Sequence, residues 1–182
     1  MADVTLEQVA GYCTELDLMN KIDTKRGLVE AVLPTKHGTH LVYFVPDTER
    51  QVLRLRIARL AVTPPARRPA MARIIAHLNY SLLLKGFIFD ESDGEVAYDL
   101  PIPCRGIGVP ADLVSQCLMA ATWTLNTHLP TVQQACWGSD SVEELLGLPL
   151  PEPAAALTRA LAGHITPPPP AAEGGTAGST PA

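Results

Sequence analysis

Apolar and polar positions along this chain switch between two periods, and the switches mark out its elements. Leu6, Val9, Cys13 and Leu16 recur at helical spacing, and Thr5 with Gln8 forms the capping-box pattern that opens a helix of about three turns. Arg26-Gly27 breaks that pattern. Leu28 to Leu33 is rich in branched residues and predicts a strand; Pro34 to Thr39 predicts a loop of hairpin length, and His40 to Val45 a second strand before a turn at Pro46-Asp47. Val52 to Val62 predicts a third strand, with Leu53, Leu55 and Ile57 on one face and Arg54 and Arg56 on the other. The alternation fails at Arg59-Leu60, which predicts a bulge or the strand end.

Thr63-Pro64-Pro65 leads into a second helix, where Pro69 is tolerated only in the first turn. Met71, Ile74, Ile75, Leu78 and Leu82 form its apolar stripe, and Gly86 is expected to end it in a left-handed cap. Phe87 and Phe89 start a strand, Ser92-Asp93-Gly94 supplies a turn, and Val96, Tyr98 and Leu100 alternate on the way back. A loop from Cys104 to Gly108 reaches Pro110, a good first residue for a third helix buried through Leu113, Cys117, Ala120/Ala121 and Leu125. Pro130 is expected to end or kink that helix, with Val132 to Trp137 adding a further turn or two. The expected fold is therefore α+β, in the order α-β-β-β-α-β-β-α, an antiparallel sheet with helices packed mainly on one face.

That domain is expected over residues 1–138. A short helical appendage follows at 139–163, with helices at Ser141 to Leu146 and Pro153 to Leu161 and a second capping box at Ser141 and Glu144. From His164 the chain turns to Thr-Pro-Pro-Pro-Pro followed by Ala, Gly, Ser and Thr, so 164–182 is expected to be disordered.

At 182 residues, 47% hydrophobic and 18% charged, the chain suits one domain with a sizeable core and some extra. Its net charge of −5 disfavours general nucleic-acid binding, which relies on summed positive charge. No apolar run approaches the ~20 residues that span a bilayer, and MADVTLEQVA lacks the pattern of a secretory signal. Cys13, Cys104, Cys117 and Cys136 show no paired spacing, so free thiols in a cytoplasmic protein are expected.

The residues Leu78-Asn79-Tyr80, Lys85-Gly86-Phe87 and Asp93-Gly94-Glu95-Val96, followed by Leu100-Pro101 and by a third helix with Thr124-Leu125 and Leu129-Pro130, resemble the YbjN family. The resemblance runs in order from about residue 3 to 138; the Val109 to Leu113 segment, the extra helices and the Pro-rich tail depart from it. It implies a fold similar to type III secretion chaperones and a small cytoplasmic protein that binds other polypeptides and self-associates as a homodimer. It implies no catalysis and no cofactor.

The sharpest chemical anomaly is a run of arginines. Arg50, Arg54, Arg56, Arg59, Arg67, Arg68 and Arg73 are seven of the fourteen basic residues, no acid falls between Arg50 and Arg73, and removing their charge leaves −12 on the rest. Arginine offers bidentate geometry to carboxylates or phosphates, so Arg54, Arg56, Arg67, Arg68 and Arg73 could dock an acidic protein surface or, alternatively, a small anionic ligand or nucleotide. The competing reading pairs them with acids of the same chain. Arg67 and Arg68 fall where a helix dipole least favours cations, which points toward a partner or an anion.

Trp123 lies off the buried stripe of the third helix. It is either an anchor for a dimer or partner, or covered by Leu145-Leu146-Leu148. His37 and His40 flank a turn and lack further ligands for a metal site. Asp90, Glu91, Asp93 and Glu95 suit turn chemistry better than a calcium loop. Gly106-Ile107-Gly108 does not follow a clear strand, and no nucleophile motif stands out. The reading that results is a non-enzymatic, chaperone- or adaptor-like protein-binding module; the alternative is a regulatory domain that senses an anion.

Overall fold

The computed structural model describes residues 4–82, 84–104 and 108–147. All of them fall in the first of two units of the chain, Met1–Leu148; the expected helix at 153–161 and the tail at 164–182 lie outside the described residues. The elements are α1 (Leu6–Glu15), β1 (Asn20–Asp23), β2 (Leu28–Thr35), β3 (Gly38–Asp47), β4 (Val52–Val62), α2 (Arg68–Ser81), β5 (Phe87–Phe89), β6 (Glu95–Pro103), α3 (Ala111–Trp137) and α4 (Val142–Leu146). The six strands form one antiparallel sheet in the order β1-β2-β3-β4-β6-β5.

The predicted α+β order holds, with β1 added at one edge. Asn20-Lys21-Ile22-Asp23 carries one apolar residue and no alternation. It becomes a strand because β2 offers it a partner, with Ile22 opposite Val29 and Lys21 opposite Glu30. The helices cover one face of the sheet, where Val42, Phe44, Leu53, Leu55, Ile57 and Tyr98 are fully buried against the apolar sides of α1, α2 and α3. The opposite face carries Glu30, Tyr43, Arg54, Arg56 and Asp99.

Four local expectations change. The loop expected at 34–39 shrinks to a two-residue turn, Lys36-His37, because Pro34 and Thr35 extend β2 and Gly38 (φ 128) opens β3. The third helix starts at Ala111, with Pro110 as its extended N-cap rather than its first residue. Pro130 does not end α3, so the further turns expected at Val132 to Trp137 belong to the same 27-residue helix.

Gly86 is not a left-handed cap: α2 ends at Ser81 with Leu82 extended as its C-cap. The glycine serves close approach instead, since a Cβ at position 86 would come within 2.4 Å of the Tyr98 ring. Tyr98 is itself pinned there, its hydroxyl donating to the Leu84 carbonyl at 3.2 Å.

Other expectations hold in detail. Thr5–Gln8 and Ser141–Glu144 are complete capping boxes. The register of β4 against β6 shifts between Ile57 and Ala61, where Arg59 takes a left-handed φ of 51, so the failed alternation marks a bulge within a continuing strand.

Candidate functional site

The arginines do not form one surface. Arg54 and Arg56 stand on the uncovered sheet face, where Arg56 lies directly opposite Asp99 on β6. Arg54 makes a two-pronged contact with Asp99, and Arg56 reaches Glu95 at 3.3 Å and Asp99 at 3.6 Å. The Asp99 side chain is only 9% exposed beneath the two guanidiniums, and its hydrogen bonds hold the Arg54 pKa above the ordinary value. Arg50 pairs with Asp47 in the adjacent turn at 3.0 Å. Arg59 is exposed at the bulge and gives its main-chain N–H to Glu95.

Around α2 the arginines act as clamps. Arg67 donates to the carbonyl oxygens of Ala135 (3.0 Å), Gly138 and Asp140 (3.4 Å), the end of α3 and the residues just beyond it. Arg67 thus sits at the start of α2 but directs its charge at the negative C-terminal pole of a different helix, α3. Arg68 donates to the carbonyls of Glu91 (2.9 Å) and Ser92 (3.0 Å) and so ties α2 to the β5–β6 turn. Arg73 pairs with Glu143 at 2.8 Å, which lowers the carboxyl's pKa and holds α4 against α2.

The acids of the β5–β6 turn build the turn. Asp90 Oδ1 accepts from the N–H and hydroxyl of Ser92, and Asp93 Oδ1 accepts from the N–H of Glu95. Gly94 takes φ 84 there and passes close over the Thr63 carbonyl, where no side chain would fit.

Among the described residues, helix α3 presents the clearest unpartnered surface. Its buried positions face the sheet, while Met119 (61%), Trp123 (60%) and Trp137 (64%) face outward. Of the three leucines expected to cover it, Leu145 and Leu146 pack on the core with Trp123 exposed, and Leu148 lies outside the described residues. A groove of about 360 Å³ runs beside Trp123, lined by Leu16, Ser115, Leu118, Met119, Thr122 and Asn126. The Trp123 ring makes an edge-on contact with His128, centroids 6.1 Å apart. Trp123 was legible as lying off the buried stripe. Leu16 was not, because it is the C-cap of α1 and the pairing of helices is a tertiary fact.

The two histidines of the β2–β3 hairpin work locally. His40 Nε2 meets the Thr35 hydroxyl at 3.2 Å, and His37 Nε2 donates to the main-chain carbonyl of Asn126 at 3.0 Å. Among the described residues no group of three or more His, Cys, Asp or Glu is placed to hold a metal ion, and no helix is long and apolar enough to cross a membrane.

Comparison with known proteins gives one family. The YbjN family model, described as "Putative bacterial sensory transduction regulator", matches residues 5–134. No curated protein matches the chain.

Proposed function

The chain belongs to the YbjN family, and from that premise we propose that it is a non-catalytic, adaptor- or chaperone-like module that holds or regulates a partner polypeptide in the cytoplasm. The observation that carries the proposal is the outer face of α3, where Trp123 stands exposed beside a groove of about 360 Å³. Large aromatics next to apolar grooves are the usual anchors of protein interfaces. The regulatory description of the family is compatible with such a role, as are four cysteines that are all free thiols.

Sensing of a small anion through the arginines has less support. Arg54, Arg56 and Arg73 are engaged by carboxylates and Arg67 and Arg68 by carbonyls, so an anion would have to displace bonds the fold already uses. The test is co-purification from the native host with wild type and Trp123→Glu, both checked for native circular dichroism. A partner retained by wild type and lost by the variant supports the proposal; equal retention overturns it.

A further inference from the structure

We propose that His128 is a proton-sensitive latch on Trp123: once charged, its imidazole holds the indole to itself and withdraws that anchor from a partner. The proposal rests on the reading of the groove beside Trp123 as a binding surface and adds how that surface is regulated.

The contact between the two rings is a specific one. Trp123 and His128 are five residues apart on α3, so at 3.6 residues per turn their side chains leave the helix about 140° apart. Ordinary helix neighbours are three or four apart. The rings nevertheless meet edge-on, centroids 6.1 Å apart and planes at 84°. A perpendicular pair is favoured when the electropositive rim of one ring points at the electron-rich face of the other. The imidazole, with its N–H rim, is the edge that suits the larger indole face. A positive charge on that rim turns the contact into a stronger cation–π interaction.

Little else competes for that charge. Between Leu113 and Trp137 there is no Asp, Glu, Lys or Arg. The charged and titratable groups on the elements packed against α3 are Glu15 and Asp17 at the end of α1, Lys36, His37 and His40 of the hairpin, and Arg67, Arg73, His77 and Glu143 of α2 and α4. The arginines and acids of β4 and β6 pair on the other sheet face, and Tyr98 and the buried cysteines stay neutral in mild acid. None of these groups shifts the His128 pKa, which burial alone lowers.

A partner that covers Trp123 also covers the imidazole beside it. A neutral ring can be covered at little cost, whereas an imidazolium must give up its water. Protonation therefore weakens capture in two ways. It tightens the indole on its neighbour, and it places a charge beside a groove whose lining carries none. Because burial keeps His128 neutral at neutral pH, the latch acts in mild acid.

Trp123 is the sole tryptophan of a Trp137→Phe chain, so its fluorescence reports the latch with no partner present. Charged imidazole quenches an adjacent indole more strongly than neutral imidazole does. Emission should fall with acid, with a midpoint below the ordinary 6.5, while circular dichroism stays native, and His128→Gln should abolish the step. In Trp123→Leu the His128 ring resonances should titrate about half a pH unit lower, an about threefold loss of proton affinity when the cation–π partner goes. Emission that ignores pH, a step that survives His128→Gln, or a His128 midpoint unmoved or raised in Trp123→Leu overturns the proposal and leaves the binding-module reading standing. The partner co-purified through Trp123 should be retained less by wild type in mild acid and equally at both pH values by His128→Gln; equal retention by wild type overturns the gating of capture. A normal titration in a chain whose Trp123→Glu variant keeps its partner instead overturns the binding reading, and the latch's role in capture with it.

Discussion

The imidazole of His37 donates to the main-chain carbonyl oxygen of Asn126 at 3.0 Å, and that carbonyl is the one Pro130 leaves without a helical donor. In an α-helix the carbonyl of residue i accepts from the N–H of i+4, and proline has none. The turn of the β2–β3 hairpin fills the gap, with the Lys36 N–H also bonding the Asn126 side chain at 2.7 Å. An unbroken 27-residue helix through Pro130 is thus a joint product of the helix and a hairpin some ninety residues earlier.

His37→Ala should therefore cost about 0.5–1 kcal/mol, the modest value of an exposed hydrogen bond. Pro130→Ala returns the helical N–H, so the same histidine change should cost less in that background. Urea unfolding of the four proteins of this cycle measures the coupling, expected at about 0.5 kcal/mol. Additive costs would show that the imidazole does not substitute for the missing donor.

Asn79 holds the opposite edge of the sheet. Gly86 and Asp90 direct main-chain groups at β6, so Phe87, out of phase with them, directs its own outward. The Asn79 amide takes up both, accepting from the Phe87 N–H at 3.1 Å and donating to its carbonyl at 2.7 Å. Asn79→Ala should cost about 2 kcal/mol, near 1 for each half-buried bond. It also uncovers an edge that another strand can join, so the variant should unfold at lower urea and aggregate faster on storage. Asn79→Asp should not rescue it, because a carboxylate cannot donate to the carbonyl.

How much of this was legible depended on how local each signal was. Alternation at Leu53, Leu55 and Ile57 and at Val96, Tyr98 and Leu100 gave the strand faces directly, because side-chain period is fixed by the backbone. The broken period at Arg59 likewise marked a real bulge. By contrast, β1 has no pattern of its own and exists through its neighbour. Gly86 was readable as a required glycine, but its reason lies in the Tyr98 ring twelve residues away. For the candidate site, helical spacing placed Trp123 off the buried stripe, whereas its exposure and the groove beside it depend on where Leu16, the C-cap of α1, and the leucines of α4 pack. The arginine run was conspicuous in sequence, yet its partners Asp99, Ala135 and Glu143 are all distant along the chain.

Arg67 is the most demanding of those pairings. Three carbonyls around the end of α3 converge on one guanidinium, whose planar set of donors can serve them together. Arg67→Ala should cost about 2–3 kcal/mol, as hydrogen bonds from a charged donor do when their half-buried acceptors are left behind. Arg67→Lys should recover less than half of that loss, since one ammonium cannot span the same acceptors. Hydrogen exchange should localise the effect to the last turns of α3. A lysine variant as stable as wild type would reduce the clamp to simple charge.

Two histidines set the response to mild acid. Burial lowers the pKa of His128, and burial with the neighbouring charge of His37 lowers that of His40. Both therefore ionise more readily in the unfolded chain than in the fold. Between the lowered values and the ordinary 6.5, the unfolded state binds more protons, so stability rises with pH through that window and levels off above it. Asp47, Asp90, Glu143 and Glu144 are also held below their ordinary values, chiefly by hydrogen bonds, and their contribution is lost only at lower pH, as those carboxylates protonate. Urea midpoints measured from about pH 7.5 to 5.5 should fall with acid, and His40→Gln with His128→Gln should flatten that part of the profile alone. The carboxylate-dependent loss at lower pH should persist in the double variant; a profile that stays steep between pH about 7.5 and 5.5 would assign the mild-acid response to other groups.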